Sequence, residues 1–176
     1  LSADVAEWDV VQARRQLATF AATGADVTQL AESLLGAILQ PRDTIHILRA
    51  AWGLAAIGRK DIAVLPLVTN RDDHAVAWGV RFMTDALPLD TTLSQRPAAD
   101  VRLDDDQLEI LTALAIGDRS PSVRLAVASA LQRLPVDQRI AVAAGLCSHS
   151  EDAGDHNIPL MIWYGLIPTA EKHATD

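Results

Sequence analysis

The clearest indication of the fold lies in residues 120–135, which read Ser120-Pro121-Ser122-Val123-Arg124-Leu125-Ala126-Val127-Ala128-Ser129-Ala130-Leu131-Gln132-Arg133-Leu134-Pro135. Apolar residues recur here every three or four positions and form one stripe on a helix, at Val123, Ala126, Val127, Ala130, Leu131 and Leu134. Ser120 is suited to cap this helix and Pro121 to its first turn, whereas Pro135 ends it. The segment is therefore predicted to be an amphipathic helix with one buried face.

The same periodicity predicts helices along most of the chain. We expect them over residues 7–22, 28–39, 44–57, 61–68, 73–87, 105–116, 136–147 and 157–170, with Asp43 and either Asp72 or Asp73 at helix starts. Residues 88–103 show no sustained period and contain Pro88 and Pro97, so they are predicted to form a long inter-helix loop. Because no alternating run with hairpin chemistry is present, the predicted fold class is all-α.

Helix starts recur near Trp8, Asp43, Asp72, Ser120 and Asn157, at intervals typical of helical solenoids. An Asp followed by Val-Arg is typical of the second helix of a HEAT repeat, and it occurs here as Asp118 before Val123 and Arg124. The stricter period and consensus of tetratricopeptide repeats are absent. We therefore expect an α-solenoid of about four to five HEAT-like helix pairs, in which each pair buries a face on the next. It would form a single domain over residues 1–176, excised from a larger multidomain protein.

Composition excludes several classes of function. The chain is 49 % hydrophobic and carries a net charge of −8, so disorder, nucleic-acid binding and docking on an anionic membrane are all disfavoured. No apolar run reaches the roughly 18 residues that span a bilayer, and we expect no membrane insertion. The single cysteine, Cys147, excludes an internal disulfide and a CxxCH haem-attachment site within this sequence.

Two polar clusters raise the question of a metal. The first has two imidazoles and two carboxylates that could hold zinc, from His149, Asp152, Asp155 and His156. The second has carboxylates of the kind that calcium prefers, from Asp100, Asp104, Asp105, Asp106 and Glu109. Neither spacing matches a known motif, and carboxylates at helix starts are expected as caps. We therefore predict capping turns and no metal site.

Residues 158–167 are apolar on nearly every side of a helix, which predicts a fully buried helix that a following segment covers in a parent protein. A groove for a cofactor or a peptide, with Trp163 and Tyr164 as anchors, is the other interpretation. The candidate interface residues are Met161, Ile162, Trp163, Tyr164 and Leu166. We expect Leu160, Trp163 and Ile167 to pack on the helix that starts near Val136, and Pro168 to end or kink the last helix. The opposite face would be covered by a following segment, or by a second copy of the chain through self-association that Leu166→Glu weakens. The alternative is a helix fully buried within one stack.

No residue in the sequence is predicted to be catalytic or to bind a cofactor. Cys147 is expected to be an inert buried thiol, because its neighbour His149 has no evident orienting partner for nucleophilic catalysis. Trp52, Trp78 and Trp163 are expected in the packing between helices, and Trp8 at the surface. We therefore do not expect this chain to be an enzyme by itself.

The sequence resembles the helical region of PVC-type haem-binding proteins, which are described as membrane-bound dehydrogenases of planctomycetes and verrucomicrobia. Residues 120–135 carry the resemblance together with two further stretches, Glu7-Trp8-Asp9-Val10-Val11-Gln12-Ala13-Arg14-Arg15 and His149-Ser150-Glu151-Asp152-Ala153-Gly154-Asp155-His156-Asn157-Ile158-Pro159-Leu160-Met161-Ile162-Trp163-Tyr164-Gly165. The sequence departs from the family at Ile140 and Ile167, where the resemblance leads us to expect Trp and Glu. The resemblance implies a sugar-dehydrogenase-like β-propeller before this region, a cytochrome c-like domain after it, and a periplasmic or secreted location.

Two functional readings follow. The first is a non-enzymatic HEAT-like scaffold or protein-interaction module, whose partners are neighbouring domains of a parent protein or another protein. The second is the helical linker domain of a haem-containing, sugar-dehydrogenase-like redox protein, whose catalytic and haem-binding domains lie outside this chain. A HEAT-like DNA glycosylase is disfavoured because it needs a basic groove, whereas this chain is acidic.

Overall fold

The computed structural model describes residues 3–40, 43–90 and 101–173. These residues are helices and connecting segments without any strand, which confirms the all-α class. The chain divides into two compact units, residues 1–75 and 76–176, and the division falls inside one helix. That the chain forms a single domain of HEAT-like pairs stays a prediction. Of the loop predicted over residues 88–103, the part from 91 to 100 lies outside the described residues.

Five helices begin in the first unit: α1 (Ala3–Ala22), α2 (Thr28–Leu39), α3 (Thr44–Ala56), α4 (Asp61–Val68) and α5 (Asp73–Thr84), which crosses the division. Asp43 caps α3 as predicted, because its carboxylate accepts a hydrogen bond of 3.0 Å from the backbone N–H of His46. Gly24 and Gly58 follow α1 and α3 with φ near +78° and +77°, a backbone conformation that favours glycine at helix ends. The predicted bounds of α2 and α4 are confirmed to the residue.

Four further helices follow in the second unit: α6 (Asp105–Gly117), α7 (Pro121–Ala130), α8 (Val136–Cys147) and α9 (Ile158–His173). The predicted helix over residues 121–134 is α-helical only to Ala130, and its last turn tightens into a 3-10 helix, Leu131–Arg133. A second 3-10 helix, Ser150–Gly154, lies between α8 and α9. Asp104 caps α6 in a capping box with Gln107, so capping accounts for this part of the acidic run. Asp100 lies outside the described residues.

Within the first unit, α2 packs against α3 and α4, and α1 packs against α3. The buried apolar side chains come from one face of each of three helices, and they include Ala31, Ile38, Ile47, Ala51, Leu54, Ala63 and Leu67. The start of α3 is joined to the turn before α5, because the hydroxyl of Thr44 donates a hydrogen bond to the carboxylate of Asp72. Asp72 also accepts from the backbone N–H of Ala75 at 3.1 Å, so it is Asp72, rather than Asp73, that caps α5.

Within the second unit, α6 packs on α8, and α9 packs on both α7 and α8. The side chains buried between these helices include Leu111, Val123, Val127, Leu131, Val142, Leu146 and Ile158. The segment that precedes α6 is bonded to the first turn of α8, since the side-chain amide of Gln138 donates to the carbonyl of Leu103 at 2.8 Å. The described end of the predicted loop is therefore part of the packed structure.

The tryptophans divide between interior and surface. Trp52 and Trp78 are partly buried, each beneath the guanidinium of an arginine, Arg14 and Arg81 respectively. Trp8 is exposed, as predicted. Trp163 was expected in the packing between helices, and this expectation is wrong because its side chain is 61 % exposed.

The packed face of α9 differs from the predicted one. The buried residues are Ile158, Ile162, Gly165 and Thr169, whereas Leu160 and Trp163 point to solvent. Glycine explains the difference, because it lets the backbone of α9 approach its neighbour so closely that a Cβ at position 165 would lie 2.5 Å from Cβ of Leu131. The helix also continues past Pro168 to His173, so Pro168 does not end it, and the alternative of a kink stays a prediction.

We expect Gly165→Ala to destabilise the chain by about 1–3 kcal/mol, because the added methyl overlaps the buried Leu131 and forces α9 outward. Urea unfolding followed by circular dichroism at 222 nm measures the change. Gly36→Ala is the matched control, since Gly36 lies inside α2 with nothing within 4 Å of its missing Cβ. There we expect a gain of about 0.5–1 kcal/mol from helix propensity. Equal effects at the two positions would contradict the close approach.

Candidate interaction surface

The loop between α8 and α9 is held in place by a buried ion pair. Arg124, the fourth residue of α7, is only 2 % exposed. Its guanidinium donates through Nε and Nη2 to the two carboxylate oxygens of Asp152, at 2.5 and 2.6 Å, and through Nη1 to the carbonyl of Asp118 at 3.0 Å. The bonds to Asp152 raise the pKa of Arg124, although burial opposes this. The two charges therefore cancel in the interior and fix the loop against α7.

A second buried arginine holds α9 in its place. Arg139, the fourth residue of α8, is fully buried and donates to the carbonyl of Gly165 at 2.7 Å. It also donates to the carbonyl of Leu134 at 2.8 Å and to the carboxylate of Asp90 at 2.9 Å. Because one guanidinium joins three segments, the middle of α9 is bound by a charged group as well as by apolar packing.

His149 ties the start of the same loop to the end of α6. Its Nε2 lies 3.0 Å from the carbonyl oxygen of Ala115, and its Nδ1 lies 3.1 Å from the carboxylate of Glu151. Both ring nitrogens therefore face oxygen acceptors. His149 therefore links the loop both to the end of α6 and to Glu151.

The end of the loop is a helix cap. The carboxylate of Asp155 accepts hydrogen bonds from the backbone N–H groups of Asn157, at 2.7 Å, and of Ile158, at 2.8 Å. These two bonds lower the pKa of Asp155. A capping turn was predicted here, and Asp155 provides it by accepting from the backbone N–H groups at the start of α9.

Three of the four residues considered as zinc ligands thus have separate structural tasks, and the fourth, His156, is exposed. Asp152 pairs with Arg124, Asp155 caps α9, and His149 bonds to Ala115 and Glu151. Over residues 3–40, 43–90 and 101–173, no group of three or more His, Cys, Asp or Glu side chains is placed to hold a metal ion. The same ranges contain no helix with the length and apolar character needed to cross a bilayer.

These contacts shape a cavity of about 380 Å³ between the end of α8, the loop and α9, which we call the C-terminal groove. Its wall is mainly apolar, and it is formed by Leu146, Cys147, His149, Ser150, Asp152, Ala153, Ile158, Pro159, Ile162, Trp163 and Leu166. None of the described side chains that line it is a lysine or an arginine. A cavity of this size and character is typical of sites that bind apolar groups.

The candidate interface residues are distributed over this groove and the helix face beside it. Trp163 and Leu166 line the groove, and Ile162 forms its buried floor. Tyr164 is exposed on α9, whereas Met161 is partly buried and its sulfur accepts a hydrogen bond from Gln132. Together with Leu160, which is 49 % exposed, Trp163 and Tyr164 present large apolar surface to solvent.

Cys147 lies at the edge of the groove and is exposed, so the expectation of a buried thiol is wrong. Cys147 is the last residue of α8, where the chain turns into the loop, and the side chain faces the groove rather than the interior. The preceding residue, Leu146, is the one that is buried.

A larger cavity of about 670 Å³ lies in the first unit, between the ends of α2 and α4. It is more polar, and its carboxylates are already engaged in helix caps, since Asp43 accepts from His46 and Asp72 accepts from Ala75. The C-terminal groove is therefore the better candidate, because its wall offers apolar surface that no other described group covers.

Neither of the two buried arginine–aspartate pairs was predicted from the sequence. A signal for the arginines is nevertheless present, because Arg124 lies on one stripe with Val127 and Leu131, and Arg139 on one stripe with Val142 and Leu146. An arginine on an apolar stripe indicates a buried ion pair, since an unpaired buried charge is too costly. The identity of each partner carries no such signal.

Comparison with models of protein families, with curated proteins and with solved structures tests whether this arrangement occurs elsewhere. The search against each of the three finds no match. The chemistry of the C-terminal groove is therefore the basis on which its ligand can be inferred.

Proposed function

We propose that this chain is a non-enzymatic scaffold of HEAT-like helix pairs that binds a segment of protein at the C-terminal groove. In each unit, helices two positions apart in the sequence pack together, α1 on α3 and α2 on α4 in the first, and α6 on α8 and α7 on α9 in the second. Such packing supports a stack in which each pair buries a face on the next.

One observation carries the proposed binding role: an apolar groove opens beside an exposed tryptophan. Trp163 is 61 % exposed, although it follows the buried Ile162 directly in the sequence. Tryptophan and tyrosine beside an apolar pocket are the residues that most often anchor protein interfaces. The groove and the face of α9 around Trp163 and Tyr164 are therefore the surface on which a partner would bury most apolar area.

The partner remains within the classes expected from the sequence, which are neighbouring domains of a parent protein or a separate protein. The second candidate function, a linker in a haem-containing redox protein, rests on the family resemblance of residues 120–135 and 149–165. In that function the groove would receive the domain that follows in the parent protein. In both candidate functions, any catalysis or electron transfer by the parent protein is carried out by residues outside this chain.

The isolated chain is expected to self-associate weakly through this surface, and more strongly as salt is raised. Apolar contact drives the association, whereas the net charge of −8 on each copy opposes it until salt screens the repulsion. Sedimentation velocity over a range of protein and salt concentrations measures the effect.

Trp163→Ser is expected to shift the chain to monomer with the helix content unchanged. It replaces Leu166→Glu as the test because Leu166 is partly buried. Trp8→Ser is the matched control, since Trp8 is equally exposed but lies in α1. A monomer at high protein and salt concentration, or equal effects of the two variants, would contradict the proposed surface.

The purified chain is expected to carry no covalent haem and to reduce no electron acceptor when sugars are supplied. The physical reason is that a covalent haem requires two cysteines in CxxCH, and this sequence has only Cys147. The absorption spectrum after denaturation and a dye-reduction assay are the measurements. A Soret band that survives denaturation, or sugar-dependent turnover, would overturn the non-enzymatic proposal.

A further inference from the structure

The rim of the C-terminal groove carries two exposed carboxylates, those of Glu151 and Asp155, which lie on the lining loop without lining the groove themselves. Glu151 lies between the lining residues Ser150 and Asp152, and its carboxylate is mostly exposed. It lies 3.6 Å from the guanidinium of Arg124, whose charge the nearer carboxylate of Asp152 already balances, so these three groups together keep a net negative charge. Asp155 follows at the end of the same loop and is also exposed. A backbone hydrogen bond and the bond from His149 lower the pKa of Glu151, and the backbone bonds of the cap lower that of Asp155. Both groups are therefore ionised at neutral pH.

Two arginines of the second unit have their charges in the interior. Arg124 is paired with Asp152 and Arg139 with Asp90, and all four side chains are buried. Among the described side chains that line the groove there is no lysine or arginine. Among the exposed charged residues of the second unit that the structure describes, acidic ones outnumber basic ones.

We infer that the C-terminal groove binds an amphipathic segment of another protein that presents apolar side chains to the groove and lysine or arginine to its acidic rim. This inference rests on the proposed function and names the chemistry of its partner. The apolar wall around Ile162 and Leu166 contributes affinity through burial, and the carboxylates of Glu151 and Asp155 select the sign of the flanking charge.

Charge also decides between this partner and a second copy of the chain. Two copies that meet groove to groove would bring their acidic rims together, and each copy has a net charge of −8. Like charges facing each other oppose association, whereas a basic segment gains attraction at the same positions. The basic segment is therefore the tighter occupant, and self-association is the weaker event.

Cys147 provides a direct measurement of occupancy, because it is the only cysteine of the chain and it lines the groove. The rate at which uncharged iodoacetamide alkylates Cys147 is followed by mass spectrometry at low micromolar protein. The probe is a helical peptide of about 18 residues with Leu at helical spacing and Lys elsewhere. Its matched counterpart has Glu in place of every Lys.

The Lys peptide is expected to slow alkylation at least about fivefold at saturation, because bound side chains cover the thiol. The Glu peptide is expected to give little protection at the same concentration, and added salt should weaken the effect of the Lys peptide. Trp163→Ser and Glu151→Gln are each expected to reduce the affinity of the Lys peptide several-fold. Trp8→Ser and Asp105→Asn, at exposed positions in α1 and α6, serve as controls that leave it unchanged.

A second thiol position separates binding in the groove from general coating of the chain. In the variant with Cys147→Ser and Ser129→Cys, the thiol lies on α7, at a residue that does not line the groove. The Lys peptide should leave its alkylation rate unchanged. Equal protection of both thiol positions would overturn the inference.

The other possible outcomes also test the inference. Equal protection by the Lys and Glu peptides would show that charge does not select the partner. If the alkylation of Cys147 instead slowed as the protein concentration was raised within the low micromolar range, a second copy of the chain would be the occupant. If neither peptide protects Cys147 but Trp163→Ser still abolishes self-association, the inference fails and the proposed surface stands. If neither effect is seen, both fail.

Discussion

Asp152→Ala is expected to lower the free energy of unfolding by about 3–5 kcal/mol, because it leaves the guanidinium of Arg124 buried without its carboxylate. Arg124 is 2 % exposed and cannot reach solvent without moving the loop. Its remaining partners are the carbonyl of Asp118 and, at 3.6 Å, the exposed carboxylate of Glu151. Urea unfolding followed by circular dichroism is the measurement.

Asp155→Ala is the matched control, since it removes an exposed carboxylate from the same loop. It is expected to cost about 1 kcal/mol, the usual value for a lost helix cap. Replacing both partners, by Arg124→Met together with Asp152→Ala, should recover part of the loss, because no buried charge then remains unpaired. A loss below about 1 kcal/mol for Asp152→Ala would show that the pair is hydrated, and would contradict the buried geometry.

Leu131→Ala is expected to destabilise the chain by about 2–5 kcal/mol. Leu131 is fully buried at the end of α7, against the point of α9 where Gly165 approaches most closely. Truncation leaves a cavity that α9 cannot fill, because residue 165 has no side chain and Arg139 holds its carbonyl in place. The same unfolding experiment measures the effect.

Ile140→Ala is the control for this prediction, because Ile140 lies on α8 in the same unit but is 51 % exposed. A change within about 0.5 kcal/mol is expected there. If Leu131→Ala were equally mild, α9 would have to relax into the space, which the fixed contact between Arg139 and Gly165 does not allow.

Much of the secondary structure could be predicted from the sequence because its signals are local. The bounds of α2, α4 and α8 are confirmed, and so is the cap at Asp43. At the start of α3 and of α8 a capping or helix-breaking residue, Asp43 or Pro135, stands next to the helix. α9 ends at His173, close to its predicted end at residue 170, and Pro168 lies inside it.

The candidate surface could be located from the sequence, but not oriented. Residues 158–167 were identified because they are apolar on every side, and such a helix has no periodic stripe to show which face packs. The structure buries Ile162 and exposes Leu160 and Trp163, the reverse of the expected arrangement. The single close approach at Gly165 sets this rotation, and its effect depends on Leu131, which lies far away in the sequence.

The sequence by itself determined the all-α class, most helix ends and the segment that carries the candidate surface, because these depend on neighbouring residues along one helix. Only the tertiary structure decided which charges are buried and with which partners. Arg124 meets an aspartate 28 residues away, and Arg139 meets one 49 residues away. Several aspartates in this acidic chain would satisfy either arginine equally well in chemical terms. The selection of Asp152 and Asp90 therefore follows from how the helices pack, because burial strengthens a pair of charges only where packing brings the two groups into contact.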